Sequence, residues 1–298
     1  MLHGRQRYGR LVSSGQGIDG GREFQRVAET LLSRISGGAY PEGSFLPPQR
    51  ELAAELGVSR DTVQRVLRML ADEDWIESRQ GRGSRVLKSQ RIRSSGASTA
   101  AQGKVYLGDF IGAAFRQAEV TLDVFTLSSE SLDAHIRVQS ELIRSGRIQP
   151  QHIGVRMLLP SSSVDLPYVR AVDDPDPRVR ERVDDITRRH TSSLRDAMLN
   201  LKHAQTVPSV DLEIRHIPLA PTNKLYLLNG NEAVFGPYKV LQRTIHLAGD
   251  EEIEALDVLG LDAELTHFEK DADDTSVGSV FVSSMQKWFD SVWDLLSE

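Results

Sequence analysis

The 298-residue sequence predicts two joined folds: a small α+β head, then a larger α/β domain built on a central mixed sheet. Three observations carry this. Residues 24–70 hold three apolar stripes at helical spacing, with a Gly-rich hairpin pattern after them. From Lys104 onward, strand-like runs alternate with long amphipathic segments, the order of an α/β layer fold. Between them, SQRIRSSGASTAAQG (89–103) has the small, polar composition of a linker.

Residues 1–21 are rich in Gly, Ser and Arg without periodicity and are expected to be an arm. The head then runs from 22 to 88. Phe24, Val27, Ala28, Leu31 and Ile35 follow the spacing of one helical face, and Gly37-Gly38 supply a stop. Pro47 and Pro48 precede a short helix carrying Leu52, Ala53 and Leu56, which Gly57 ends. Ser59 stands as N-cap of a third helix, whose inner stripe is Val63, Val66, Leu67 and Leu70.

Two helices separated by so short a turn form a helix-turn-helix, whose second helix enters the DNA major groove. Its outward face is Arg60, Asp61, Gln64, Arg65 and Arg68. Arg60 and Gln64 lie one turn apart near the helix start, where Arg suits guanine O6/N7 and Gln suits adenine N6/N7. WIESRQGRGSRVLK then reads as two strands around a tip at Gln80, Gly81 and Arg82, a basic wing that makes the head a winged helix-turn-helix. Charge agrees with this division. Residues 1–95 hold 16 Lys and Arg against 11 Asp and Glu, a net of +5, whereas the remainder holds 20 against 31, a net of −11. A basic head on an acidic body assigns contact with a polyanion to the head.

The run from Phe24 to Lys88, with GGAYPEGSFLPPQRELAAELGVSRDTVQRVLRML and the RQGRGSRV wing, resembles the winged-helix domain of the GntR family of bacterial transcriptional regulators. The resemblance implies a dimer on double-stranded, pseudo-palindromic DNA. It places Arg50, Arg60 and Gly81 close to the duplex and Thr62 on a phosphate. Gln64 stands where many relatives carry other residues, so the operator does not transfer from them.

In the body, VTLDVFTL, IGVRMLL, VDLEIRHI, KLYLLN and EAVFG read as strands. SLDAHIRVQSELIRSG and PDPRVRERVDDITRRHTSSLRDAMLNLKHA read as helices, as does the last segment, with Phe281, Met285, Trp288, Phe289, Val292 and Leu296 on one face. Residues 160–176 read as a loop that either covers a cleft or lies on the surface.

The hairpin TNKLYLLNGNEAVFGPYK (222–239) turns at Asn229-Gly230. Its spacing is similar to the phospholipase D active-site pattern His-x-Lys-x4-Asp-x6-Gly-Ser-x-Asn, with Thr222, Lys224, Asn229, Gly236, Pro237 and Lys239 at those positions. The resemblance implies a phospholipase-D-like body with its chemistry removed. The family's attacking His is replaced by Thr222, a poor nucleophile without an adjacent base, and Asn229 has no charge with which to orient an imidazole. His190, His203 and His216 read as structural or surface residues. Thr222, Lys224, Asn229, Tyr238 and Lys239 are then expected to hold a small anionic effector.

The sequence has no Cys, which excludes disulfides, thiolate catalysis and Cys-ligated zinc, and no cofactor or metal is expected. No apolar run approaches the roughly 20 residues of a membrane helix, and the N-terminus lacks a signal-peptide pattern. A cytoplasmic, non-enzymatic homodimer without a membrane partner is the expectation. A ligand-independent regulator, whose body only dimerises or docks a partner, and a DNA-directed phosphodiesterase stand as alternatives.

Overall fold

The computed structural model describes residues 23–24, 26–28, 30–32, 34–35, 39–41, 43–72, 75–79, 83–87, 91–94, 105–173, 175–247, 251–258 and 265–298, with the backbone alone at 91–94, 105–106 and 246. The expected arm at 1–21 and the tip residues Gln80, Gly81 and Arg82 lie outside them.

In the head, the described residues of 23–35 are helical (α1), followed by α2 (Gln49–Leu56) and α3 (Arg60–Asp72). The stripes read from the sequence form one core: Val27, Leu31, Ile35, Leu52, Val63, Val66 and Leu70 are fully buried. Gly57 caps α2 in the left-handed conformation (φ 66°), its N–H reaching the Ala53 carbonyl. The wing is an antiparallel hairpin, β1 (Ile76–Arg79) and β2 (Gly83–Val86), with Arg79 opposite Gly83. The segment before α2 lies along its edge, Leu46 N–H donating to Ser84 O at 2.8 Å and Val86 N–H to Ser44 O at 2.8 Å.

The body is an eight-stranded mixed sheet between two helical layers. Its strands are β3 (Arg91–Ser94), β4 (Val105–Tyr106), β5 (Glu119–Phe125), β6 (His152–Pro160), β8 (Ser209–Ile217), β9 (Asn223–Leu228), β10 (Glu232–Pro237) and β13 (Leu265–Glu269), in the order β4-β3-β13-β10-β9-β5-β6-β8. β5, β6 and β8 are parallel. Their crossovers are the helices α5 (Glu130–Arg144) and α6 (Pro177–His203), as parallel pairing requires. These helices and α4 (Leu107–Ala114) cover one face, burying Val120, Leu122, Val124, Tyr226 and Leu228. α7 (Val277–Leu295) covers the other with Phe289, Val292 and Trp293 against Phe125, Leu225 and Leu227. Arg156 ties α7 to the sheet, donating twice to Asp123 (2.7 and 2.6 Å) and once to Asp290 (2.7 Å).

Two features depart from the sequence reading. Residues 91–94, assigned to the linker by composition, form β3, paired in parallel with β13 and antiparallel with the edge strand β4; a strand held by backbone bonds needs no apolar alternation. A second sheet, in the order β11-β12-β7, joins β11 (Val240–Leu247), β12 (Glu251–Val258) and β7 (Arg170–Ala171). Loop 161–169 packs beneath it through Leu166, Tyr168 and Val169, beside Leu127 and Tyr238. That packing resolves the question of the loop: it covers the end of β9, and the Tyr168 hydroxyl donates to the Pro221 carbonyl just before Thr222.

Candidate nucleic-acid interface and the body hairpin

On α3 the helical period sends Val63, Val66, Leu67 and Leu70 inward, which leaves Arg60, Asp61, Gln64, Arg65 and Arg68 exposed along one face. Arg50, at the start of α2, is also exposed. Ser59 opens α3 as the sequence predicts: Thr62 N–H donates to its Oγ at 3.1 Å. Thr62, expected on a phosphate, is buried, and its hydroxyl lies 2.9 Å from the Ser59 hydroxyl at the helix cap. Arg65 leans over the Phe24 ring, 5.1 Å from its centroid, and lies 4.0 Å from Asp61. The face thus offers three arginines and a Gln at helical spacing, the donor set suited to base edges and phosphates.

The hairpin places its residues unequally. Along β9, Lys224, Tyr226 and Leu228 face the α5 side and Leu225 and Leu227 face α7. Lys224 is 3% exposed, and its Nζ donates to Ser131 Oγ at 3.0 Å. Burial lowers its pKa to about 8, with the nearby Glu130 carboxylate acting in the opposite sense. The Tyr238 ring centroid lies 5.8 Å from Nζ; its hydroxyl accepts the Leu127 N–H at 2.8 Å, and burial raises its pKa. Tyr238 N–H also holds the Thr222 carbonyl at 2.9 Å.

Thr222 and Lys239 are exposed. Asn229 does not join this group. It sits at the far end of β9, roughly 16 Å along the strand, in the left-handed conformation (φ 51°). There its side chain accepts the Thr121 N–H (2.9 Å) and donates to the Ala114 carbonyl (3.3 Å), as a turn residue does.

Around Lys224 the fold gathers residues the sequence reading missed: Glu130, Ser131 and His135 on the first turns of α5, all buried. Burial, with Lys224 adding to it, lowers the His135 pKa to about 4, so the imidazole is neutral at physiological pH. The signal was the polar run SSESLDAH directly after an apolar strand. Of the histidines singled out, His190 is buried, its Nδ1 2.8 Å from Asp133 Oδ2, while His203 and His216 are exposed. Among the described residues no group of three or more His, Asp or Glu is placed to hold a metal, and no helix is long and apolar enough to cross a membrane.

With this geometry in place, residues 24–86 match the family model of bacterial regulatory proteins, gntR family. The HTH-type transcriptional regulator TreR of Bacillus subtilis (strain 168) is 28% identical over 138 residues, 44% of this chain and 56% of that protein. The Exu regulon transcriptional regulator of Escherichia coli (strain K12) is 39% identical over 69 residues, 23% of this chain and 27% of that protein. This chain thus spans about half the length of the first of these relatives and about a quarter of the second. Among solved structures, S. agalactiae BusR in complex with its busAB-promotor DNA is 29% identical, over 22% of this chain and 32% of that one, with a TM-score of 0.21. Residues 24–86 are a winged helix-turn-helix of the gntR family, with α3 as its outward-facing second helix.

Proposed function

We propose that the chain is a sequence-specific, dimeric transcriptional regulator whose head reads double-stranded DNA through α3 and the wing. The observation that carries this is the α3 face: Arg60, Gln64 and Arg68 stand exposed on a helix whose opposite face is wholly committed to the head core. Arg50 and Arg65 add charge on either side, and Arg82 with Gln80 and Gly81 would follow at the wing tip. Ser59 and Thr62 set the start of the helix. Two copies would read half-sites about one helical turn apart. The test is the affinity of the full-length protein for a duplex selected from a random library. Arg60→Ala is expected to cost roughly 1–3 kcal/mol and to relax preference at one base pair; unchanged affinity removes α3 from the interface.

For the body, we propose a non-catalytic, phospholipase-D-like domain in which Lys224 answers an anionic effector, with Tyr238, Thr222 and Lys239 at its margin. Support comes from a buried amine, Lys224, held between Ser131 and the Tyr238 ring, which packs with the residues of loop 161–169. The 3% exposure of Lys224 and the proximity of Glu130 favour a second reading, in which the cluster is structural and the body serves dimerisation alone. A thermal-shift screen of phosphorylated and carboxylated metabolites decides between them. A ligand that stabilises wild type and not Lys224→Ala supports the effector; no shift across the panel supports the platform. Neither reading includes hydrolysis, since Thr222 stands where the phospholipase D pattern has its attacking His and is a poor nucleophile without an adjacent base.

A further inference from the structure

The head rests on the α5–α6 layer of the body: Ala134 of α5 is 1% exposed and belongs to the head core rather than to the body's own. This seating brings α6 alongside α3. Between them runs an open cleft of about 350 Å³, lined by Arg65, Arg68 and Met69 of α3, Phe24 of α1, and Arg182, Ile186 and Arg189 of α6. Residues 182, 186 and 189 share one face of α6 at helical spacing. Arg189 is exposed; Arg182 is half-buried and lies 3.6 Å from Asp257. Among the charged residues lining this cleft, all four are arginines, in a body whose net charge is −11 from residue 96 onward.

We propose that this cleft takes backbone phosphates of DNA that flank the bases read by α3, so that the body helix α6 forms part of the nucleic-acid interface. Four guanidiniums around one open groove suit phosphate oxygens, which Arg binds with paired N–H donors. A duplex is the phosphate source the placement favours. Arg68 lies on the same outward face as Arg60 and Gln64, one turn beyond Gln64, so a strand bordering a groove that holds the start of α3 runs toward the cleft. Contacts of this kind position the protein and carry no base information. They also make the head's seat on the body part of the bound geometry: a change in the body that moves α6 away from α3 weakens binding without altering sequence preference.

The inference rests on the head binding DNA, and the experiment separates the two. Affinity of the full-length protein for a random-sequence 40-base-pair duplex and for a library-selected duplex is measured across 0.05–0.3 M salt. The proteins are wild type, Arg60→Ala, Arg189→Gln and Arg195→Gln, the last an exposed α6 arginine outside the cleft. Removing one phosphate contact lowers the salt slope by about 0.9 and weakens binding about eightfold at 0.1 M salt. Arg189→Gln is expected to do this equally on both duplexes, while Arg195→Gln leaves both unchanged and Arg60→Ala reduces preference for the selected one.

No binding by wild type overturns the DNA reading itself. Binding by wild type with an unchanged slope in Arg189→Gln overturns only the cleft. A parallel titration with inorganic tripolyphosphate covers the other source. Saturable, Arg189-dependent binding of that anion with no effect of Arg189→Gln on duplex affinity makes the cleft a small-anion site and overturns the proposal.

Discussion

Burial holds the His135 imidazole neutral, its pKa lowered to about 4, and the charge of Lys224 adds to the effect. The unfolded chain protonates this ring near pH 6.5. Between about pH 4 and 6.5 the unfolded state therefore binds the extra proton, and stability rises with pH across that window. The contribution is present above the unfolded value and is lost on acidification. His135→Gln removes the titration: relative to wild type, the variant should gain up to roughly 3 kcal/mol between pH 6.5 and 4, read from urea unfolding at several pH values. Parallel curves for the two proteins across that range would mean that His135 is solvated. At this scale the sequence was half legible. Motif spacing singled out Lys224, which the fold buries. Glu130, Ser131 and His135, nearly a hundred residues earlier, meet it only because β5 and β9 are adjacent strands. The same spacing pointed to Asn229, whose amide the Asn-Gly turn uses up.

Long elements with a period were readable; the short helix α4, although Leu107, Ile111 and Ala114 follow one, and the strands held by backbone pairing alone were not. The three head helices, β5, β6, β8, β9, β10 and the long helices of the body all carry side-chain patterns that a core imposes. β3 carries none, since it contributes hydrogen bonds to β13 at the sheet's edge region. The β11–β12 hairpin went unread although Ile245, Ala255 and Val258 are buried, because it packs on a satellite cluster and not on the main sheet. One close approach between elements gives a direct test. Gly278, in the first turn of α7, lies so near β13 that an added Cβ would stand 2.1 Å from the Glu269 carbonyl oxygen. Gly278→Ala must push α7 off the strand and should destabilise by about 1–3 kcal/mol. The check is the thermal midpoint, with Gly112→Ala in α4 for comparison, where the added Cβ meets only the Gln139 side-chain amide at 3.7 Å, an ordinary contact. A smaller loss at 278 than at 112 would contradict the packing of α7 on β13.

At the scale of the whole molecule, the head and body are joined closely. β2 ends at Val86 and the body's β3 begins at Arg91, so only four residues separate the wing from the sheet. With Ala134 in the head core and the arginine cleft between α3 and α6, a movement of α5 or α6 changes what packs against the head. An effector that prefers one body geometry would shift DNA affinity by its differential affinity for the two states, and by no more. The measurement that tests the central claim most directly is selection of duplexes from a random library by the full-length protein, in parallel for wild type and Arg60→Ala, read by sequencing. The account predicts that wild type enriches a pseudo-palindrome with half-sites about one helical turn apart, and that Arg60→Ala loses preference at one position in each half-site. No enrichment by wild type, or the same motif enriched by both proteins, would contradict it.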